Sequence, residues 1–512
     1  MYKLIIFISI IISHWSTAFA SKLISLFPID SYDQEISHWI KPSDSDYNKP
    51  LISKAQQAKR LTDFYNHYFS GSSKSTSPWD AAYVSKILAM TGSDSLLELE
   101  KKLIDKFTTQ KINLNSTSND RTKSDNQINS EITTSKIGYG HNFHPYNQTW
   151  INNIAKNMNI SRLSKIKYNP ENMAIAIHNT HARALPTMDA YFYSHNIAGE
   201  GYPFDNLQQS ALWVGTPVYI ALETVDHAWS LVITPDFIDW VKSEDIAKVD
   251  SKFIATWQST AKNKMIALTH ETSILDKEGN YRFNAYVGTV FPAKSATEIL
   301  IPVVDVHRKA TIQTTVVSGG NSVVMPYKLT PHNLANVMAN LIGRPYGWGN
   351  MNFYNDCSAE LKALYAPFAI YLPRNTSEQV KAGKMVDLSD KSTTERERLL
   401  IKDGRKLVTL VRIPGHILMY LGKYPHTIKS QTKSEIAMSY QNIWGLHPLD
   451  NSYRAIIGKS VIFPLLQSYP ENNSLISFYD KDTRRIFQLI YLDEMPDTKS
   501  FNILDLKSLI FP

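Results

Sequence analysis

Gly343-Arg-Pro-Tyr-Gly-Trp-Gly-Asn-Met-Asn-Phe-Tyr-Asn-Asp-Cys-Ser358 runs a glycine-rich turn into good helix formers, and it carries Cys357, the single cysteine among 512 residues. One thiol forms no internal disulfide, which leaves a buried inert thiol, an intermolecular bridge or a reactive nucleophile. A thiol at a helix N-terminus faces unpaired backbone N–H groups and the positive end of the helix dipole. That placement favours the thiolate, and with it the third reading.

A thiol nucleophile needs an imidazole as base and a polar group to orient that imidazole. His416 is the polar exception in the apolar run Ile413-Pro-Gly-His-Ile-Leu-Met-Tyr-Leu421, which Pro414-Gly415 opens as a strand. A lone histidine there also reads as a hydrogen-bonded core residue; the unique cysteine upstream favours the base. On the next expected strand, Ala437-Met-Ser-Tyr-Gln-Asn-Ile-Trp-Gly445 offers Gln441 and Asn442 as orienting groups. A glutamine carbonyl accepts from imidazole without adding charge. His447, beside Pro448, is a rival that reads as a surface turn. A helix from Asn333 and strands near 407–422, 434–444 and 453–465 make this an α+β unit over 329–470, with 471–512 as a C-terminal extension.

Upstream, residues 172–325 alternate in short strands (Val218, Ile220, Leu222; Trp229, Leu231, Ile233) punctuated by Gly, Asn, Asp and Pro. Two small all-β barrels over 166–248 and 249–328 fit this texture better than one large sheet. Residues 21–165 read as an α-helical N-terminal domain with a polar low-complexity insertion at 108–135. At the start, Lys3, the apolar run Leu4 to Ile12 and Ala18-Phe19-Ala20 form a signal-peptide pattern over 1–20. The apolar run is short for a bilayer span, so the expected product is exported, periplasmic or secreted, with no stable membrane insertion after cleavage.

Tyr346-Gly-Trp-Gly349, Asn355-Asp-Cys-Ser358, Leu372-Pro-Arg-Asn-Thr-Ser-Glu-Gln379 and Pro414-Gly-His416, in that order, resemble the NlpC-type papain-like cysteine peptidases of bacterial cell walls. Arg183-Ala-Leu-Pro-Thr187, Glu200-Gly-Tyr-Pro-Phe-Asp-Asn206 and Asp226-His-Ala-Trp229 resemble the first bacterial SH3-like domain of that architecture. Ser77-Pro-Trp79 and Gly138-Tyr-Gly-His-Asn142 resemble its helical N-terminal domain. The resemblance implies hydrolysis of the γ-D-glutamyl–diaminopimelate bond in peptidoglycan stem peptides, with Cys357 as nucleophile, His416 as base and Gln441 at the third, orienting position. Relatives often carry histidine before Asn-x-Trp-Gly, where this chain has Gln441. The resemblance also implies that Asp356 and the Tyr346 hydroxyl bind the free amine of an N-terminal L-Ala. Arg374 would pair with a substrate carboxylate, although an arginine in a Pro-Arg turn reads more readily as structural, and Ser358 and Thr376 would complete the substrate-binding set. The Cys357 N–H, with Tyr346, would hold the oxyanion. By the same resemblance, the first barrel packs against the cleft and narrows it. The competing reading is a cell-wall-binding protein whose peptidase domain is degenerate, with Gln441 as the symptom.

The formal charge is +7, with no dense Lys/Arg run. This modest excess points to ordinary solubility or an anionic wall surface, and no nucleic-acid partner is expected. No cofactor is expected, and His141, His144, His178 and His181 do not space as a metal motif.

Overall fold

The computed structural model describes residues 23–69, 75–108, 137–427, 433–480 and 486–496. The expected signal peptide, and the polar insertion beyond Thr108, lie outside the described residues. Among the described residues, the short strand β1 (Ile24–Leu26) is followed by helices α1 (Ile36–Trp39), α2 (Lys54–Tyr68), α3 (Ala81–Leu88), α4 (Leu96–Phe107) and α5 (Gln148–Met158). Caps set their starts. Ser53 and Gln56 close a reciprocal capping box on α2, and Ser95 accepts from the Glu98 N–H on α4.

These helices, read from sequence as one N-terminal domain, face in different directions. Ile36, Ile40 and Ile52 join the core beneath Cys357. Phe64 and Phe69 of the α2 region pack with Trp79, Phe253 and Trp257. Helices α3 to α5 instead cover a β-sheet through Val84, Leu99, Leu103, Phe107 and Ile151. Each amphipathic stripe is correctly legible, but the surface that buries it comes from a different part of the chain.

That sheet has the order β4-β3-β7-β6-β5-β2-β8, from β2 (Met173–Ala176), β3 (Thr180–Arg183), β4 (Gln208–Leu212), β5 (Pro217–Glu223), β6 (Trp229–Ile233), β7 (Ile238–Lys242) and β8 (Ile246–Lys248). Every residue of β6 is buried, because the helices cover one face while Val218, Ile220, Val232 and Val241 fill the other. The alternation Val218, Ile220, Leu222 therefore does not mark a single face. A bulge between Ile220 and Leu222 moves Leu222 to the helix side.

Next comes α6 (Ser251–Asn263), capped by Asp250 and burying Phe253, Trp257 and Ala261. Its i, i+4, i+8 signal was present in the sequence but hidden in a region read as strands. Strands β9 (Met265–Leu268), β10 (Thr272–Leu275), β11 (Tyr281–Ala285), β12 (Val290–Pro292), β13 (Glu298–Val304), β14 (Ala310–Val316) and β15 (Ser322–Val324) then form three small sheets, β12-β9-β15, β10-β11 and β13-β14, around Ile266, Phe283, Phe291 and Ile301.

The last region holds α7 (Pro331–Met338), α8 (Cys357–Tyr365), α9 (Thr376–Gln379), β16 (Lys384–Asp387), α10 (Thr393–Asp403), β17 (Thr409–Ile413), β18 (His416–Thr427), β19 (Lys433–Leu446), β20 (Arg454–Leu465) and β21 (Gln488–Tyr491). Its sheet runs β1-β20-β19-β18-β17-β21-β16. Two strands thus come from outside the expected 329–470 unit. Strand β1 joins β20 in parallel, and β21, from the expected extension, lies between β17 and β16. Both cover what would otherwise be open strand edges. Helix α8 packs on this sheet through Leu361, Leu364 and Tyr365 against Ile417, Met419, Tyr440 and Ile462. Among the described residues, no helix is long and apolar enough to cross a membrane.

Candidate active site

Asp356 begins α8 as its N-cap, accepting from the Ala359 N–H at 3.0 Å, so Cys357 is the first helical residue. The turn before it passes through left-handed conformations at Gly349, Asn350, Asn352 and Phe353. A side chain at Gly349 would sit 2.5 Å from the Gln208 carbonyl, so only glycine lets the turn touch β4 this closely. Asn355 ties the turn down: its carbonyl accepts from Asn442 Nδ2 at 2.9 Å, and its amide donates to Glu360 at 2.8 Å. Buried Glu360 also accepts from the hydroxyls of Tyr440 and Ser460, at 2.5 and 2.6 Å.

His416 opens β18 directly after a two-residue hairpin turn in which Gly415 takes a positive φ and Ile413 pairs with His416. The Ile417 N–H points at the Cys357 sulfur, which sets the strand's first residues beside the thiol. Thr376 Oγ1 lies 3.9 Å from Sγ. The imidazole Nε2 and Gln441 Oε1 are 2.6 Å apart. A carbonyl only accepts, so Nε2 carries the proton and Nδ1 is the basic nitrogen. Gln441 Nε2 donates to Ser439 Oγ at 2.9 Å, and that hydroxyl donates to the Phe463 carbonyl at 2.7 Å. This relay fixes the orientation of the amide. Ser439 escaped the sequence reading, although its i, i+2 spacing from Gln441 on a strand puts both on one face. Asn442 serves the turn at Asn355, and His447 Nδ1 contacts the Pro448 carbonyl. Of the three orienting candidates, the structure brings Gln441 to His416.

Burial dominates the electrostatics. It pushes the Cys357 thiol up to about 11, with the neighbouring Asp356 charge adding to the rise. It pushes His416 down to about 4, against the Gln441 hydrogen bond. The helix terminus therefore does not leave a thiolate at rest: at neutral pH the pair is thiol and neutral imidazole.

Arg374 is not free for a substrate carboxylate. It is buried, with Nη2 2.6 Å from Asp356 Oδ2, Nη1 3.1 Å from Oδ1 and 3.0 Å from Ser358 Oγ, and Nε 2.8 Å from Ser210 Oγ on β4. Ser358 is likewise committed, donating to Asp356 Oδ1 at 3.1 Å. These two expected substrate contacts are internal, because an isolated Asp356 charge would be costly to bury without them.

Tyr346 and His416 line a cleft of about 400 Å³ whose other walls include Phe204, Trp348, Trp444 and Phe478. Cys357, Asp356 and Gln441 lie beneath its surface rather than along it. Phe204, from the loop before β4, sits edge-on to Trp348 and Trp444 at 5.0 and 4.7 Å, so that loop narrows the mouth. Phe478 stacks near the His416 ring at 6.1 Å, and Ile476 and Ser477 continue that wall. Nothing in the sequence marked the 476–478 segment as part of the site. Among the described residues, no three His, Cys, Asp or Glu groups gather as metal ligands.

Comparison with known proteins falls on the same part of the chain. Residues 343–449 match the NlpC/P60 family and residues 191–242 match an SH3 domain of the SH3b1 type. The chain is similar to an NlpC/P60 endopeptidase from Photobacterium damselae subsp. piscicida, at 26% identity and a TM-score of 0.74, covering 92% of this chain and 99% of that one. It is also 26% identical over 124 residues to the gamma-D-glutamyl-L-lysine dipeptidyl-peptidase of Bacillus subtilis (strain 168), a match spanning 24% of this chain and 40% of that protein.

Proposed function

We propose that this chain, which carries an NlpC/P60 domain beside an SH3 domain, is an exported cysteine endopeptidase. Its substrate is the γ-D-glutamyl–diaminopimelate bond of peptidoglycan stem peptides with a free N-terminal L-Ala. The observation that carries the reading is the Cys357, His416 and Gln441 set under a narrow cleft, with the Nε2 proton directed to Gln441. His416 Nδ1 takes the thiol proton as sulfur attacks the carbonyl carbon. The Cys357 N–H and Tyr346 receive the oxyanion, and His416 then protonates the leaving amine as the C–N bond breaks. Water, deprotonated by His416, cleaves the thioester. Asp356 supports an amine gate: its Oδ1 takes three donors but Oδ2 only the Arg374 Nη2–H, leaving lone-pair capacity for an ammonium group.

The same proposal takes residues 166–248 and 249–328 as two SH3-like barrels. The first, through Phe204, restricts the cleft to short peptides. Export rests on the signal-peptide pattern at 1–20.

The test is mass spectrometry of L-Ala-γ-D-Glu-diaminopimelate incubated with the protein, beside an N-acetylated peptide and Cys357→Ala. Free diaminopimelate is expected from the unblocked peptide alone and not with the variant. No cleavage by a folded protein would sink the peptidase reading and leave a wall-binding protein; equal cleavage of both peptides would remove the amine gate.

A further inference from the structure

The Arg374 guanidinium is held from two parts of the chain. Asp356 takes both Nη groups, while the Nε–H goes to Ser210, a buried hydroxyl on β4 of the first barrel, 164 residues away. Nη2 also reaches the Gln209 carbonyl at 3.4 Å. A planar fork gripped at Nε and at both Nη atoms has a fixed tilt. Gripped at the Nη end alone, it can swing about the carboxylate. The strand that supplies Ser210 is itself pinned to the catalytic turn. Gln208 Nε2 donates to the Gly349 carbonyl at 2.8 Å, and Trp348 Nε1 donates to the Asp205 carbonyl at 3.1 Å.

The charged and titratable groups facing Arg374 are Asp356, Cys357 and Lys362 on or beside α8, Tyr346 in the turn and Asp239 on β7. At the thiol, Asp356 opposes negative charge and Arg374 favours it. How far Asp356 repels a thiolate therefore depends on how closely the guanidinium sits on it.

We infer that Ser210 is a positioning residue for the nucleophile: by fixing Arg374 flat against Asp356, the barrel strand lessens the carboxylate's opposition to charge on Cys357. This rests on the reading of Cys357 as the nucleophile. It makes the first barrel part of the thiol's electrostatics as well as a wall of the cleft.

Because Cys357 is the only thiol, iodoacetamide alkylation of the full-length chain against pH reads the effect directly. Ser210→Ala is expected to raise the midpoint of that profile by about half a unit, slowing labelling roughly threefold at neutral pH. Ser230→Ala removes another buried hydroxyl of the same barrel, 2.8 Å from Ser243 Oγ, and should leave the profile in place. Arg374→Lys keeps the charge but loses the fork, and should shift the midpoint in the same direction. Adding Ser210→Ala to it should then change nothing further. A Ser210→Ala profile superimposed on wild type, or a Ser230→Ala profile shifted equally, would overturn the assignment. Alkylation needs no substrate, so a failure to cleave stem peptides leaves this test standing, and cleavage with an unshifted profile defeats this inference alone.

Discussion

At Cys357 and His416 the chemistry begins from neutral partners, since burial holds the thiol near 11 and the imidazole near 4. The base is active only while His416 is unprotonated, so activity is lost as pH falls through its folded value. We expect kcat/KM to hold its plateau well below pH 6.5 and to fall at about 4, as measured by initial rates on the free stem peptide. An acid limb at 6.5 would refute the neutral pair. In the same assay Ser439→Ala should lower kcat about tenfold with KM little changed, because the Gln441 amide loses the partner that fixes its orientation. Cys357 and His416 were legible from residue type and context alone. For Arg374 the structural alternative fits its contacts, but a Pro-Arg turn gives no hint that its partners are Asp356 and a serine 164 residues away.

At the scale of elements, α4 meets β7 through a buried carboxylate. Glu100 accepts from Trp240 Nε1 at 3.0 Å with its other oxygen unpaired, and burial raises it from 4.5 to about 8. A carboxyl raised on folding contributes stability that is full below pH 4.5 and lost as pH rises through about 8. Glu100→Gln keeps the acceptor and removes the charge. It should raise the thermal midpoint by roughly 3 °C or more at pH 8 and change it little at pH 5, by scanning calorimetry. An equal shift at both values would mean the carboxyl does not titrate there. The helix stripes of α2, α4 and α5 were readable because periodicity is local. Helix α6 was hidden because short apolar runs do not separate helix from strand. The entry of β21 into the catalytic sheet was hidden because pairing partners leave no local mark.

For the whole molecule, three histidines on different elements are driven down by burial: His67 at the end of α2, His181 on β3 and His416 on β18, each from 6.5 to about 4. Between those values the unfolded chain binds more protons than the folded one. Their contribution is therefore full above pH 6.5 and lost as pH falls toward 4. Thermal unfolding followed by circular dichroism should show the midpoint dropping steeply across that window. His67→Gln with His181→Gln should flatten the drop; a slope unchanged in the double variant would remove these groups as its cause. His67 also shows how the parts join, since it contacts Tyr371 at a ring distance of 3.8 Å, beside the half-buried Lys362–Asp236 ion pair at 2.8 Å between α8 and the loop joining β6 to β7.

The sequence by itself singled out Cys357 and His416 and ordered the helix-rich, strand-rich and mixed stretches, because thiol chemistry, caps and apolar periodicity are written within a few residues. Only the tertiary structure put a distance on the contact between Gln441 and the imidazole and revealed Ser439 behind it. It alone brought Ser210 to Arg374 and Phe204 and Phe478 to the cleft, and buried the thiol so that charge on it is opposed. Those outcomes depend on burial and on contacts between separate segments of the chain, and desolvation is a property of the assembled surroundings that no single stretch of chain contains.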